Sequence, residues 1–595
     1  MHDMVKKIKN NPYTAAVLLF LIIAAQIVNI VVVFVSEKTE YHCDELYSFG
    51  LSNSFYRPFV ENDNIRSLEF EHIEEWFPGE LYRDYLTVQK GEQFRYDSVW
   101  YNQGQDRHPP LFYSIIHTIC SFAPDTFSFW FGFVPNLVYF AVMQFFLYKL
   151  AKNVLKSKYL ALLFCLFWGF TVAALNNTLF IRMYCMLTMW TVILMYLHSK
   201  LVLRKEKIIW KQLIPLTIVT ALGALTQYLF LFVAFVIAVC FCLWYLINKC
   251  YKSFFAYGAS MLVGVLLFFL IYPKGFMHMF MESGETGGDL ARQSVFSVRY
   301  LFMDIFCITR SDIVWLSYFL PPFIGILIIL SLPVLFLFRD KLRRLPGKIR
   351  ADFSAWKENK MPLKETLGKR LKERPVYLSM FISTVLIVMI VSYQISFIIG
   401  FANRYLYIIY PFAGLLIFAL LCNIFRRIRP GKIVLTAITA ALLLNIAVKG
   451  SIVSYWTYNN DISLHDMFTD SNVIVIFDND STFSSLSTFS YELYNTDQVF
   501  VTDYADIEKD LPAIAGLESD SPVYIMMYTA GSGTDDKGRY ATNLTWHPEK
   551  DEYIYDRIYC DELFGKFVDA GVGSDFEYKG EFVFIKGDYY IYKIG

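Results

Sequence analysis

Long uninterrupted apolar stretches dominate this sequence and restrict its possible folds more than any other feature. The hydrocarbon core of a bilayer is ~30 Å thick, so a helix needs about 20 mostly apolar residues to cross it. Only 18% of the residues are charged, compared with ~25% in soluble domains, and the mean hydropathy is +0.39. We therefore predict a polytopic α-helical membrane protein. The composition excludes a disordered, collagen-like or coiled-coil chain.

Two apolar stretches need a decision before the spans can be assigned. At 1.5 Å per residue, 213–247 would extend ~50 Å as one helix, and lysines flank both of its ends, so we predict a hairpin of two spans. The stretch 111–123 is too short to cross, and we interpret it as a juxtamembrane or re-entrant helix. The eleven predicted spans are 13–35, 127–148, 159–175, 183–201, 213–226, 228–247, 254–273, 315–338, 376–400, 405–424 and 432–448.

The charges divide the chain into two parts. Residues 451–595 contain 26 acidic and 9 basic residues, a net charge of −17, and the remainder carries +17. Loop 339–375 alone has 13 basic and 5 acidic residues. Because basic loops stay in the cytoplasm, we predict a cytoplasmic N-terminus and an extracytoplasmic C-terminal region. The predicted domains are a membrane domain, 1–450, with outer loops 36–126 and 274–314, and an acidic extracytoplasmic α/β domain, 451–595.

The C-terminal region has the pattern of a small α/β fold. Helical stretches are predicted near 481–494 and 556–570, and a hairpin is predicted around 586–588. The strand-like runs are 472–477, 498–501, 522–527, 581–585 and 589–592.

The first outer loop carries the most informative motif. It opens with His-Cys-Asp-Glu at 42–45, and Asp-Arg-His-Pro-Pro-Leu-Phe-Tyr follows at 106–113. Since both ends of the loop are held at the membrane surface, carboxylates from the two ends can meet there. Carboxylates beside hydrocarbon are expensive to desolvate and are often functional. The residues alone leave two interpretations open, a catalytic acid pair or a solvated flank followed by a helix start.

This pair of motifs resembles the bacterial relatives of protein O-mannosyltransferases. It is equally similar to the lipid A aminoarabinose transferases, whose corresponding run begins Lys-Pro. Both belong to the GT-C superfamily (glycosyltransferase family 39-like). The resemblance covers roughly residues 10–450 as architecture and about twenty residues as sharp motif. It implies a GT-C fold and an inverting glycosyltransferase in the plasma membrane. Such an enzyme moves a sugar from a polyprenyl-phosphate donor to a hydroxyl of an envelope glycan, lipid or protein at the outer face.

The resemblance also implies roles for individual residues. Asp44 matches the general base that removes a proton from the acceptor hydroxyl, Glu45 is its partner in the motif, and Asp106 lines the site. His108 stands where the aminoarabinose enzymes have a lysine near the lipid phosphate. A histidine there is a weaker, pH-dependent cation.

A departing lipid phosphate also needs strong cations, and arginine can hold phosphate oxygens bidentately. Arg182 and Arg404 lie at outer ends of predicted spans, followed by Tyr184 and Tyr405, in contexts that resemble family positions. Arg299 lies in the second outer loop. We predict that these five residues and His108 bind the donor phosphate. The alternative is snorkelling to lipid headgroups for Arg182 and Arg404, and an ordinary solvated loop for Arg299.

The resemblance leaves the cofactor open. The mannosyltransferase branch is thought to need none, whereas some GT-C enzymes hold a divalent cation between carboxylates. His42, Asp44, Asp106 and His108 could form such a site for Mg²⁺ or Mn²⁺.

Two other functions remain as alternatives, a lipid or glycan transporter and a non-catalytic scaffold for envelope assembly. The predicted spans are largely free of acidic residues and no internal repeat is seen, which favours the enzyme over a transporter. The expected partners are the polyprenyl-phosphate sugar, the hydroxyl acceptor and the bilayer, with no nucleic acid.

Overall fold

The described part of the chain divides into two compact units. In the computed structural model, the first unit comprises Met1–Val32, Asn136–Leu179 and Met183–Val453, and the second comprises Val33–Pro135, Phe180–Arg182 and Ser454–Gly595. The predicted spans 315–338 and 432–448 lie outside the described residues. The structure describes residues 13–36, 38, 41–58, 75–106, 108–203, 210–280, 374–394, 403–426, 463–477, 489–529, 539–547, 552–584 and 587–595.

Apolar helices make up the first unit. Five described helices are long and apolar enough to cross a membrane, or six if the bent pair Lys158–Gly169 and Val172–Leu179 forms one span. The polytopic helical fold is confirmed; the count of eleven spans is not. The five are Thr14–Ser36, Trp130–Leu155, Tyr184–Leu203, Leu229–Ile247 and Tyr251–Ile271. Trp210–Thr226, Pro375–Gln394 and Tyr410–Arg426 are further helices at predicted spans.

The stretch 213–247 is a pair of helices, as predicted from its length. The first helix ends at Thr226 and the second begins at Leu229. The first also packs on Tyr251–Ile271, where the hydroxyls of Thr217 and Ser260 are hydrogen-bonded at 2.9 Å. Small and hydroxyl-bearing side chains allow close helix contact in a membrane.

The predicted span 159–175 is broken, with a bend of 59° between its two helices. A break leaves backbone carbonyls that need new donors inside a membrane. The Nε2 atom of Gln26 donates to the carbonyls of Cys165 at 3.0 Å and Leu166 at 3.3 Å, and Gln144 donates to Gln26 at 2.9 Å. Gly169 makes room for the two glutamines, because a Cβ there would lie 2.2 Å from the Gln26 side chain.

A six-stranded mixed sheet forms the centre of the second unit. Its order is β1-β3-β2-β4-β8-β7, and β5 and β6 form a separate two-stranded sheet. Strand β2 is parallel to β3 and β4, whereas β8 is antiparallel to β4 and β7. All six residues of β2 are buried, as expected for a central parallel strand covered on both faces. The strands are β1 Phe77–Pro78, β2 Asn472–Phe477, β3 Gln498–Asp503, β4 Val523–Thr529, β5 Tyr540–His547, β6 Glu552–Tyr559, β7 Phe576–Phe584 and β8 Gly587–Ile594.

The predicted α/β pattern of the C-terminal region is confirmed, with one correction. Each predicted strand-like run falls on a strand, and the predicted hairpin is the antiparallel pair β7–β8. The helix predicted at 556–570 begins only at Cys560, because the alternating aromatic and β-branched residues before it form β6. Short helices at Leu464–Phe468 and Ile507–Ala515 complete the described fold. Most of the helix predicted near 481–494 lies outside the described residues, and 489–495 forms turns.

Strand β1 comes from the first outer loop. Phe77 pairs with Val499 and Pro78 with Gln498 at the edge of the sheet, where a proline is tolerated. The indole of Trp76 donates to the Ile514 carbonyl at 3.3 Å. The first outer loop and the C-terminal region therefore share one fold, although the sequence analysis assigned them to different domains.

Four helices form the rest of the described first outer loop: Cys43–Asn53, Glu80–Leu86, Tyr96–Asp106 and Leu111–Ser121. The first packs against each of the other three. The last buries Phe112, Tyr113, Ile116 and Cys120 along one face. The helix predicted at 111–123 is thus present, and its depth in the bilayer stays a prediction.

Candidate active site

The helix Cys43–Asn53 starts in a capping box that fixes Asp44 in its first turn. The Nδ1 atom of His42 accepts a hydrogen bond from the Asp44 backbone at 3.0 Å, and Glu45 Oε2 accepts one from the His42 backbone at 3.0 Å. The imidazole thus replaces the usual Ser or Thr hydroxyl. Because Nδ1 acts as an acceptor, the neutral ring carries its proton on Nε2. The helix dipole favours an ionised carboxylate at Asp44.

The Glu45 carboxylate is fully buried and holds several parts of the second unit together. Its Oε1 atom lies 2.5 Å from Lys38 Nζ, and both side chains are 0% exposed. The Ile181 backbone donates to the same oxygen at 2.8 Å. Burial lowers the pKa of Lys38, and the attraction of Glu45 opposes that effect. Glu45 therefore anchors the segment that carries Arg182.

Asp44, in contrast, keeps a partly accessible carboxylate. Its side chain is 18% exposed, and Oδ2 lies 3.8 Å from His42 Nδ1. One turn later, the Ser48 hydroxyl donates to the Asp44 carbonyl at 3.0 Å. Of the two adjacent acids, Asp44 is the one that another molecule can reach.

The Arg182 side chain is buried, at 5% exposure, in the same unit as Asp44. Its guanidinium donates to the Ser48 hydroxyl at 3.4 Å and lies 5.7 Å from the centre of the Tyr113 ring. Contact with an aromatic face stabilises a guanidinium. This buried position differs from that of an arginine that extends to lipid headgroups.

Asp106 and His108 form a close pair at the other end of the loop. Asp106 Oδ2 lies 2.7 Å from His108 Nδ1, and both side chains are partly exposed, at 17% and 26%. Pro110 follows and is the N-cap residue of the helix Leu111–Ser121. The imidazole and the carboxylate are within hydrogen-bond distance of each other.

The two ends of the first outer loop converge through intermediate side chains. The Ser48 hydroxyl contacts both Arg182 and the Asp44 backbone. Tyr113 lies against Arg182 on one side, and its ring centre is 6.5 Å from that of His108 on the other. Within the second unit, these contacts connect the helix of Asp44, Arg182 and the helix that follows His108.

Arg404, Tyr405 and Tyr184 lie in the first unit and form their own group. The Arg404 guanidinium is 5.2 Å from the centre of the Tyr405 ring, and the rings of Tyr405 and Tyr184 make an edge contact at 5.8 Å. The helix Asn403–Leu406 carries the first two residues. The last of the predicted arginines, Arg299, lies outside the described residues.

Among the described residues, one group has ligand atoms close enough for a metal ion: His42, Cys43 and Asp44, all within 4.8 Å. Two of the predicted ligands, Asp106 and His108, are not members of this group. Mg²⁺ and Mn²⁺ prefer oxygen ligands, but the group offers one carboxylate beside a thiol and an imidazole whose Nδ1 already caps the helix. The donor set therefore fits these hard cations poorly.

Sequence reasoning missed Lys38, Ser48 and Tyr113 as site residues. The only signal for Lys38 was a cation at the predicted outer end of a span, seven positions before Glu45. Tyr113 was part of the second motif but received no role. Ser48 has no sequence signal, since its position between Asp44 and Arg182 arises from the fold.

The chain was compared with known proteins by sequence and by structure. It matches no protein-family model and no curated protein.

The solved structures that are similar to it include three membrane-enzyme structures. ArnT from Cupriavidus metallidurans bound to undecaprenyl phosphate has 11% identity and a TM-score of 0.42, with 98% of both chains covered. The apo oligosaccharyltransferase of Archaeoglobus fulgidus has 10% identity and a TM-score of 0.44, covering 96% of this chain and 79% of that one. AglB from the same organism, with an inhibitory peptide and a dolichol-phosphate, has 11% identity and a TM-score of 0.43, covering 94% and 78%. Likeness at this level does not transfer a function to this chain.

Proposed function

We propose that this protein is a membrane glycosyltransferase that moves a sugar from a polyprenyl-phosphate donor to a hydroxyl acceptor. The acceptor is an envelope glycan, lipid or protein at the outer face of the plasma membrane. The proposal includes inversion at the anomeric carbon, a cytoplasmic N-terminus and an extracytoplasmic C-terminal region. It adopts the donor class of the superfamily that the sequence resembles.

The observation that carries the proposal is that Asp44 and Arg182 meet one helix, Cys43–Asn53, in neighbouring turns: Asp44 lies in its first turn, and Arg182 donates to Ser48 one turn later. One residue supplies an accessible carboxylate and the other a permanent cation, and both belong to the second unit. A transfer to a hydroxyl from a lipid phosphate needs these two groups, a base for the nucleophile and a cation for the leaving group.

In the proposed reaction, the acceptor oxygen attacks the anomeric carbon of the donor sugar. The bond from that carbon to the phosphate oxygen breaks, and polyprenyl phosphate leaves with the electron pair. Asp44 accepts the proton of the acceptor hydroxyl. Its position in the first helical turn, directly after the capping residues, fixes the orientation of Asp44.

The leaving phosphate gains negative charge as the bond breaks. Arg182 supplies a fixed cation with a planar donor fork, and His108 adds a second cation when protonated beside Asp106. We retain Arg404, with Tyr405 and Tyr184, as a further phosphate-binding group that is tested separately. Arg299 is retained as a proposal from the sequence alone.

Glu45 acts as a positioning residue in this scheme. Its carboxylate holds Lys38, the His42 backbone and the Ile181 backbone, so it orients the elements that carry Asp44 and Arg182. Asp106 has the corresponding role for His108. No step is assigned to a metal, because the His42–Asp44 donor set fits Mg²⁺ and Mn²⁺ poorly.

The alternatives are a transporter and a catalytically inactive scaffold. A transporter requires differential binding across the membrane and has no use for a catalytic base at a loop. A scaffold has no need of the accessible Asp44 carboxylate beside the capping box. Both alternatives predict substrate-dependent behaviour without the transfer of a sugar.

The test measures sugar transfer from polyprenyl-phosphate sugars to envelope extracts by the purified full-length protein in nanodiscs. Asp44→Asn is expected to lower the rate at least about 100-fold, the lower range for loss of a general base. Asp125→Asn is the matched control, because Asp125 is an exposed acid of the same unit, paired with Lys90 at 2.9 Å. Undiminished transfer by Asp44→Asn would remove Asp44 as the base. Liposome transport without any transfer product would favour the transporter.

A further inference from the structure

The second unit contains a cavity that is separate from the proposed catalytic residues, and the walls of this cavity are aromatic. The cavity has a volume of about 280 Å³. It lies where the end of the first apolar helix, the first outer loop and the C-terminal region meet within this unit. We call it the aromatic pocket, and its principal walls are Tyr41, Phe129, Trp130, His465, Tyr491 and Tyr494.

Tyr491 organises the rings of the aromatic pocket. The His465 ring stacks parallel to it at 4.3 Å, and His465 Nδ1 is hydrogen-bonded to the Tyr491 carbonyl at 2.8 Å. Phe129 and Tyr41 contact the Tyr491 ring edge to face at 5.0 and 5.7 Å. Because the rings hold one another in place, the pocket is formed before any ligand enters.

Polar groups border the same space. Three tyrosine hydroxyls, the Ser128 hydroxyl and the His465 imidazole belong to its lining residues, and none of the described lining residues is Lys, Arg, Asp or Glu. A phosphate or other ionised ligand would therefore lack a counter-charge here. A prenyl chain would suit the rings but would desolvate the hydroxyls without giving them partners, which is unfavourable.

A neutral sugar ring suits both kinds of wall. One face of a pyranose presents C–H bonds of partial positive charge, which pack against the electron-rich face of an aromatic ring. Its rim presents hydroxyls that exchange hydrogen bonds with tyrosine, serine and histidine. The volume is just below the ~300–1,000 Å³ range of small-molecule sites, so there is room for a single ring and not for an oligosaccharide.

We propose that the aromatic pocket is a saccharide-binding subsite that takes one neutral pyranose ring of a glycan or glycolipid. Tyr41 directly precedes His42, the residue that caps the helix of Asp44, so the pocket and the proposed base are joined by a rigid segment. The inference that the bound pyranose belongs to the acceptor rests on the proposed function. The inference that the pocket binds a pyranose does not. The C-terminal region would then supply specificity through His465, Tyr491 and Tyr494.

The experiment is saturation-transfer difference NMR on the full-length protein in nanodiscs, prepared without glycoside detergents. The probes are methyl glycosides of glucose, mannose, galactose and N-acetylglucosamine. At least one is expected to receive saturation at its ring C–H protons, and Tyr491→Ala is expected to reduce that signal at least fivefold. His465→Ala should also reduce it, because it removes the ring stacked on Tyr491. Tyr559→Ala is the matched control, since Tyr559 is an exposed tyrosine of the same unit, 49% exposed, outside the pocket.

Three results would overturn the subsite: no glycoside signal, a signal that survives both Tyr491→Ala and His465→Ala, or displacement of the glycosides by undecaprenol. Thermal unfolding of each variant checks that the signal was not lost with the fold, and Tyr494→Phe, which keeps the ring, provides a milder variant that should weaken the signal. If the glycosides bind as expected but no sugar is ever transferred from a polyprenyl phosphate, the subsite stands and the proposed enzyme fails. If sugar is transferred but no glycoside binds, the proposed enzyme stands and the subsite fails.

Discussion

The buried pair of Lys38 and Glu45 is the contact on which the geometry around Asp44 most depends. Two charges without solvent exposure are tolerated only while each satisfies the other. Glu45 also receives the backbone hydrogens of His42 and Ile181. The pair thus links the fold of the second unit to the orientation of its proposed catalytic residues.

Variants of this pair should show whether it contributes to the stability of the fold, to catalysis or to both. Lys38→Met leaves Glu45 buried without its cation and should lower the free energy of unfolding by about 3–5 kcal/mol. Lys38→Met/Glu45→Leu should recover most of that stability, because no charge remains buried, yet sugar transfer should stay low. Denaturant unfolding and transfer assays on both variants provide the measurement. Wild-type transfer by the double variant would show that Glu45 does not position the site.

Arg182 should affect binding of the donor more than folding. Arg182→Gln removes charge-assisted hydrogen bonds of about 1.5–3 kcal/mol, so the KM for the polyprenyl-phosphate sugar should rise about 10–100-fold. Arg182→Lys should reverse only part of this rise in KM, since lysine lacks the planar donor fork of arginine. Arg95→Gln is the control, because Arg95 pairs with Asp97 at 2.6 Å on the surface of the same unit. A KM equal to that of the control would exclude Arg182 from the donor site.

His117 should make the second unit sensitive to acid. Burial lowers its pKa below the ordinary value of 6.5, so the unfolded chain binds a proton at a higher pH than the folded chain does. Stability should therefore fall as the pH drops below about 6.5 and should be unaffected by this group above it. Thermal unfolding between pH 7.5 and 5 should show a smaller loss in His117→Gln than in the wild type. Identical slopes would contradict this origin of the acid sensitivity.

Asp44 and His108 could be selected from the sequence because both belong to short motifs at the ends of one loop; their chemical roles stay predictions. The sequence does not show which of the adjacent acids Asp44 and Glu45 is buried and which is accessible. The two acids are adjacent in the chain, but the helix turns one into the interior and leaves the other accessible. That difference, and the burial of Lys38, depends on tertiary contacts with segment 180–182 that no local pattern shows.

At the scale of elements, the broken span around Gly169 shows how a polar pair stabilises an irregular membrane helix. Two glutamines from other helices satisfy the carbonyls that precede the break. The absence of a Cβ at residue 169 allows their approach. Hydropathy predicted one continuous span here, because it registers apolar character and not the geometry of the backbone.

The glycine and the glutamine should be energetically coupled. Gly169→Ala should destabilise the protein by about 1–3 kcal/mol, since the new methyl group displaces Gln26 and overpacks the contact. The same change in a Gln26→Ala background should be less harmful, because only Gln144 then stands in the way of the methyl group. A double-mutant cycle on unfolding free energies measures the coupling. Additive effects would show that the glutamine does not occupy this space.

At the scale of the whole molecule, the sequence separated membrane helices from an acidic α/β region, and the structure confirms both parts. The span hairpin at 213–247 and the β7–β8 hairpin follow from length and turn residues, which are local properties. The position of strand β1 is not local: Phe77 pairs with Val499 more than four hundred residues away. The sequence analysis therefore assigned the first outer loop to the membrane domain, whereas the structure places it in one unit with the C-terminal region.

The central claim is that Asp44 and Arg182 flank the place where a lipid-linked sugar phosphate reacts. The most direct measurement is a cryo-EM density for polyprenyl phosphate bound to the full-length protein in nanodiscs. The account predicts phosphate oxygens within ~2.7–2.9 Å of the Arg182 guanidinium, with the Asp44 carboxylate facing the same space. Phosphate density at any site from which Arg182 and Asp44 are both remote would contradict it.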